Sequence, residues 1–246
     1  LSTMFIVLSL LKRNLSKGFI VFITKMDKLR SIITNPKFQE GLCRLYRYSS
    51  SECRSNDGKH TPDVGRMRER DLIRTLTHFG IQTKQCEKKH SRADFFVDDN
   101  SVSVKHFTSK YNKGFKVTWT SDKDKADEDI TNFIRNGLND DMLIVKLDES
   151  KNRVTFFFMP VKTLNMLVRR HAEYRKFDPL KLFFLDPFKV FKKKGATNDR
   201  GVEFTTIFLK EFYQNCEWSE SFEGNFIGDP KDADERRDKM LAEMCA

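Results

Sequence analysis

The sequence predicts an α/β fold, a central mixed β-sheet flanked by helices with an α-β-β-β-α-β core. Three observations predict it. A capped helical stripe covers residues 61–79, and three short segments between 93 and 120 alternate apolar and polar side chains. Residues 142–147 and 154–159 are nearly continuous apolar runs, the pattern of strands covered on both faces.

The 246-residue chain suits one domain with a modest appendage and can bury a core without staples. The 23 Phe are expected mostly inside, since aromatic rings contribute the largest buried areas. A net charge of +10 points to a polyanionic partner, nucleic acid or an anionic membrane face. The five Cys are odd in number and show no two-residue gap, which supports neither a disulfide framework nor a zinc site. A reducing, cytoplasmic compartment is expected. The 11 Gly form no phosphate loop, so no nucleotide cofactor is expected, and the five His show no zinc-hydrolase pairing.

Residues 1–25 hold two apolar runs around Lys12, Arg13 and Lys17, each too short to span a bilayer and in the wrong order for a signal peptide. They read as a leader ahead of a native start at Met26, and the basic excess persists without them. No membrane association is expected. The expected organisation is a single domain over 26–228. It has a helical segment at 26–60, a core at 61–175, a β-rich extension at 176–228 and a charged tail at 229–246.

Residues 27–48 read as helical with a break at Asn35-Pro36, and the Ser-rich stretch 49–60 as a loop. Thr61-Pro62 is a helix start and Gly80 a stop, with Leu72, Ile73, Leu76 and Phe79 forming the buried stripe. Strands are expected at 93–98, 101–106 and 115–120. A helix with an acidic start at 127–129 should end near Gly137, and there the acids suit the helix dipole better than a metal. Strands at 142–147 and 154–159 and a helix at 160–175 follow. Short strands are expected at 182–185 and 202–209.

The hairpin from Ala93 to Lys105 carries the chemistry. A two-residue turn at Asp99-Asn100 sets Asp94 across from Lys105, Phe96 across from Ser103 and Asp98 across from Ser101. Phe95, Val97, Val102 and Val104 then share an apolar face, and Asp94, Ser103 and Lys105 share the other. Glu69 lies three, four and seven residues before Leu72, Ile73 and Leu76, so it shares their stripe, and an acid turned toward a sheet needs a partner or a metal. A Mg²⁺ ion between Asp94 and Glu69 meets that need. The bland alternative is a surface Asp–Lys cross-strand pair of little energy. His106 should point to the opposite face in a structural role.

An acid on a helix, then Asp94, then Ser103-Val104-Lys105 on the next strand resembles the PD-(D/E)XK nuclease superfamily over roughly residues 60–120. The resemblance implies a restriction-endonuclease-like fold and Mg²⁺ as cofactor. It implies Asp94, Glu69 and the Val104 carbonyl as metal ligands, and Asp94, Glu69, Ser103 and Lys105 as catalytic residues. Ser103 occupies the position of the motif's second carboxylate, which is a departure, since it brings no charge. The short stand-alone chain resembles a type II restriction endonuclease, and in layout the ThaI type, which cuts within alternating C and G. The implied partners are double-stranded DNA with a short palindromic site and a second copy of the chain in a homodimer.

Basic residues surround the hairpin. Arg66 and Arg68 are candidates for phosphate or guanine contacts, with Met67 between them as an apolar wedge. Lys88, Lys89 and Arg92 precede the Asp94 strand, and Lys110, Lys113 and Lys116 follow Lys105, where phosphate contacts are needed. Three other readings compete: a DNA-binding protein that does not cut, a repair or junction nuclease on the same fold, and a membrane-surface protein held by residues 1–25.

Overall fold

A computed structural model of the chain describes residues 25–55, 64–81, 83–85, 93–97, 100–108, 115–120, 132–133, 136–177, 188–192 and 200–228. Helices α1 (Lys25–Ile33) and α2 (Pro36–Ser55) break at Asn35, whose side-chain oxygen accepts the N–H of Lys37 at 2.9 Å. Asn at the cap and Pro at the first helical position are a favoured start, because Pro lacks only an N–H that would go unused there.

The expected loop at 49–60 is corrected over its first part, since α2 continues through Ser55. Ser50 Oγ bonds back to the Tyr46 carbonyl at 2.8 Å, and Ser49 Oγ donates to the Asp71 carboxylate. Serine reads as a loop former because it bonds to nearby backbone, and here tertiary partners hold it in a helix.

Helix α3 (Val64–His78) ends as expected. Gly80 has φ +82°, the Ile81 N–H reaches the Leu76 carbonyl at 3.1 Å and the Gly80 N–H reaches that of Thr77 at 3.0 Å. These two bonds form a Schellman closure, with buried Ile81 packed where the helix turns away.

The central sheet has six strands in the order β1 (Thr83–Gln85), β2 (Phe95–Val97), β3 (Asn100–Thr108), β5 (Asp141–Asp148), β6 (Arg153–Met159) and β9 (Trp218–Glu223). Only the β3–β5 pairing is parallel, so the sheet is mixed, as expected. A second, three-stranded sheet runs β4 (Phe115–Thr120), β8 (Arg200–Phe204), β7 (Phe188–Lys192).

The strand expected at 115–120 is present as β4, which pairs with β8 in the second sheet, whereas the strand antiparallel to β2 at the edge of the central sheet is β1. Alternation identifies a strand without naming its partner. The expected strand at 202–209 is also corrected. β8 stops at Phe204, Thr205 is extended, and helix α5 (Thr206–Asn215) follows. Phe208 and Phe212 lie one turn apart, and both are buried with Leu209. The expected strand at 182–185 and the acidic start at 127–129 lie outside the described residues, as do 1–24 and 229–246.

Two apolar clusters sandwich the central sheet. One joins α1, α2 and α3 to Phe95, Val97, Val102, Val104 and Leu143, Val145 and Leu147 of β5. The other joins helix α4 (Val161–Phe177) and α5 to Met142, Ile144 and Met159. Burial on both faces explains the continuous apolar runs of β5 and β6. Among the described residues, no helix is long and apolar enough to cross a membrane.

Candidate functional site

The hairpin register differs from the expected one. Phe95 pairs with Val102, Phe96 with Ser101 and Val97 with Asn100, so Asn100 belongs to strand β3 rather than to the turn. The pairing is shifted by two from the expected one, which leaves every side chain on its original face. Phe95, Val97, Val102 and Val104 remain in the core, and Asp94, Ser103 and Lys105 remain on the reverse face. Asp94 lies across from Ser103, its N–H bonding the Val102 carbonyl at 2.9 Å, and Lys105 is its diagonal neighbour.

The three side chains meet at one oxygen. Asp94 Oδ2 accepts the Val104 N–H at 2.6 Å and the Ser103 hydroxyl at 3.2 Å, and Lys105 Nζ stands 3.8 Å away. Asp94 Oδ1 accepts no hydrogen bond from a described residue. The pair is partly open, with side chains 23 % and 18 % exposed for Asp94 and Lys105. Water therefore screens their attraction, and the pair by itself adds little stability.

Glu69 stands half-buried on α3, and its negative charge acts on Tyr46. The innermost row of α3 runs through its neighbours: Met67, Arg68, Asp71, Leu72, Thr75 and Leu76 are buried. Arg68, rather than Glu69, lies four and eight residues before Leu72 and Leu76, which places it at the centre of the stripe. Met67 is 4 % exposed and Arg68 6 % exposed. The expected wedge and the expected Arg68 contact are corrected accordingly, because both side chains are turned into the protein. Arg66 is exposed. Lys88, Lys89, Arg92, Lys110 and Lys113 lie outside the described residues. Lys116 is on β4, paired with Glu203 of β8.

A buried polar group behind Lys105 went unseen in the sequence. Arg68 Nη2 donates to Ser50 Oγ at 2.9 Å and its guanidinium lies 5.9 Å from the Tyr46 ring centre. Tyr46 in turn shares a 2.7 Å hydrogen bond with His106 Nε2. Burial, then the Arg68 and Lys105 cations, hold the His106 pKa well below its ordinary value. Burial is also the main reason the Tyr46 phenol is pushed well up. The readable signal was Arg68 and Asp71 at the spacing of the α3 stripe.

Among the described residues, no group of three or more His, Cys, Asp or Glu stands close enough to hold a metal ion. The donor set still fits a water-rich Mg²⁺ site. Mg²⁺ keeps several waters and is held by one or two carboxylates, and Asp94 Oδ1 is an uncommitted oxygen on a side chain that β3 fixes in place.

No protein-family model and no curated protein matches the chain. Among solved structures, a restriction endonuclease in complex with substrate DNA is similar, with a TM-score of 0.56 and 21 % identity over 82 % of this chain and 90 % of that one. The chain thus has a restriction-endonuclease-like α/β fold.

Proposed function

We propose that the chain is a Mg²⁺-dependent endonuclease of the PD-(D/E)XK type that hydrolyses phosphodiester bonds in double-stranded DNA at a short site, as a type II restriction enzyme working as a homodimer. The observation that carries the reading is the Asp94–Ser103–Lys105 group, gathered on the hairpin face opposite Phe95, Val97, Val102 and Val104. The solved restriction endonuclease of like fold, which is bound to its substrate DNA, supports it.

In this reading Asp94 Oδ1, Glu69 and the Val104 carbonyl would hold the ion. Bound there, Mg²⁺ supplies Lewis-acid polarisation of the phosphate and lowers the pKa of its water. The chain's own residues do the rest. The Val104 N–H and the Ser103 hydroxyl fix the Asp94 carboxylate through Oδ2, which leaves Oδ1 uncommitted. Lys105, held beside the same oxygen, presents an ammonium to the charge that develops on the phosphate. Ser103 adds a hydroxyl where a second carboxylate would add charge, so the site leans on Glu69 and water.

The test is incubation of phage DNA with the protein, in Mg²⁺ or in EDTA, followed by a gel. Discrete Mg²⁺-dependent fragments are expected, and Lys105→Ala should lose cutting while keeping DNA binding. Cleavage by that variant at the wild-type rate removes the site assignment, and a smear turns the reading toward a non-specific nuclease. The single carboxylate of the cluster favours one other reading, a DNA-binding protein without activity, which would retard the DNA and leave it intact.

A further inference from the structure

Helix α4 covers the face of the sheet to which Lys105 points. Lys105 pairs with Ile144 of β5, and Ile144 packs in one cluster with Leu164, Leu167 and Val168 of α4. The helix starts against β5, where the Asp141 carboxylate accepts the Val161 N–H at 2.7 Å. It is pinned further along by Asn165, which accepts the Leu138 N–H at 2.8 Å and donates to the Leu138 carbonyl at 2.7 Å. The outer face of α4 is therefore held rigidly on the side of the molecule that carries the Asp94–Lys105 pair.

That outer face is basic. Lys162, Met166, Arg169 and Arg170 are exposed and fall at helical spacing along one side. Glu173 is the one acid of α4, and residues 161–170 contain none. The ion pairs found among the described residues include none of the three cations. Met166, 54 % exposed, is the one large hydrophobic side chain in the open among the described residues. With Thr163 and Asn165 these residues line an open cleft of about 770 Å³.

We propose that this face of α4 grips the sugar–phosphate backbone of duplex DNA beside the cutting site, Lys162, Arg169 and Arg170 meeting phosphates and Met166 packing on sugar. The inference rests on the nuclease reading and adds a contact surface on α4, outside the hairpin itself. Charge selects the occupant. A second copy of the chain meeting this face across a two-fold axis would set three cations against three, whereas a polyanion neutralises them. Contacts to phosphate position a duplex without reading it, so the grip is independent of sequence.

The experiment measures binding of fluorescent duplexes of unrelated sequence in EDTA, where no strand is cut, across a salt series. For Lys162→Ala/Arg169→Ala/Arg170→Ala, affinity should fall at least about tenfold on every duplex, and the slope of log affinity against log salt should flatten by about 2–3. The melting temperature should match wild type, since all three side chains are exposed. Met166→Glu, which places an anion among the cations, should weaken binding too, and it decides the matter if the triple variant folds poorly. Wild-type affinity and slope in both variants overturn this inference and leave the nuclease reading standing. A wild-type protein that binds no duplex overturns both.

Discussion

The hydroxyl of Tyr46 lies 2.7 Å from Nε2 of His106, joining α2 to the strand that carries Lys105. Nδ1 of the same ring is buried with no hydrogen-bond partner among the described residues, and the Lys105 and Arg68 cations stand near. A second proton on this ring would have no acceptor and two cationic neighbours, so the imidazole stays neutral in the folded protein.

Stability should therefore depend on pH through His106. In the unfolded chain the ring takes a proton below about pH 6.5, and in the folded chain it refuses that proton until well below. The unfolded state then binds more protons, so stability falls as pH drops below the unfolded value, by at most about 1.4 kcal/mol per pH unit. The raised carboxyls of Asp141 and Glu217 act in the opposite sense at lower pH. Urea midpoints from about pH 7.5 to about 5.5 should fall for wild type and fall less for His106→Gln, which still offers Tyr46 an acceptor. Parallel curves would mean that His106 titrates as it does in the unfolded chain.

Two glycines adopt left-handed backbone for different reasons, and alanine should separate them. Gly80 has φ +82° with nothing within 4 Å of a new Cβ, so Gly80→Ala should cost only the backbone strain, about 1–2 kcal/mol. At Gly137, φ is +76° and a Cβ would lie 2.2 Å from Asn165 Oδ1. Gly137→Ala must break the Asn165–Leu138 clamp as well, for a total of about 3–4 kcal/mol. Equal losses of urea midpoint in the two variants would show that the clamp contributes nothing.

The parts of the fold legible in the sequence are those that periodicity controls. Phe95, Val97, Val102 and Val104 face the core because alternation fixes parity, and parity gathered Asp94, Ser103 and Lys105 on the other side. The register was not legible, since pairings two residues apart bury the same four residues. The choice between them belongs to the pairing of β1 and β5 on either side. Strand β1 itself, Thr83-Lys84-Gln85, has no apolar residue to announce it, because an edge strand need bury neither face. The tail of α2 was hidden by its serines, whose partners Asp71 and Arg68 come from another helix. Helix α5 was hidden by a β-branched and aromatic stretch that suits either structure until the spacing of Phe208 and Phe212 is read at period 3.6.

Arg68 and Asp71 are both buried on α3, where Arg68 pulls the Tyr46 pKa down and Asp71 pushes it up, so the two opposite charges share one pocket. A buried charge that loses its counter-charge costs about 3–5 kcal/mol, whereas replacing both members with apolar groups of similar size is often close to neutral. Arg68→Met and Asp71→Leu should each lose about that much, a large share of the roughly 5–15 kcal/mol available to a domain. The double variant should lose far less than the two losses combined, although Ser49 and Ser50 would then lose the hydrogen bonds they make to Asp71 and Arg68. Urea unfolding of all four proteins gives the coupling energy directly, and simple additivity would show that the two charges are satisfied separately. Arg68→Met should also flatten the pH dependence assigned to His106, because it removes one of the cations that keep that ring neutral. An unchanged pH dependence in a folded Arg68→Met protein would leave burial and Lys105 as the whole cause.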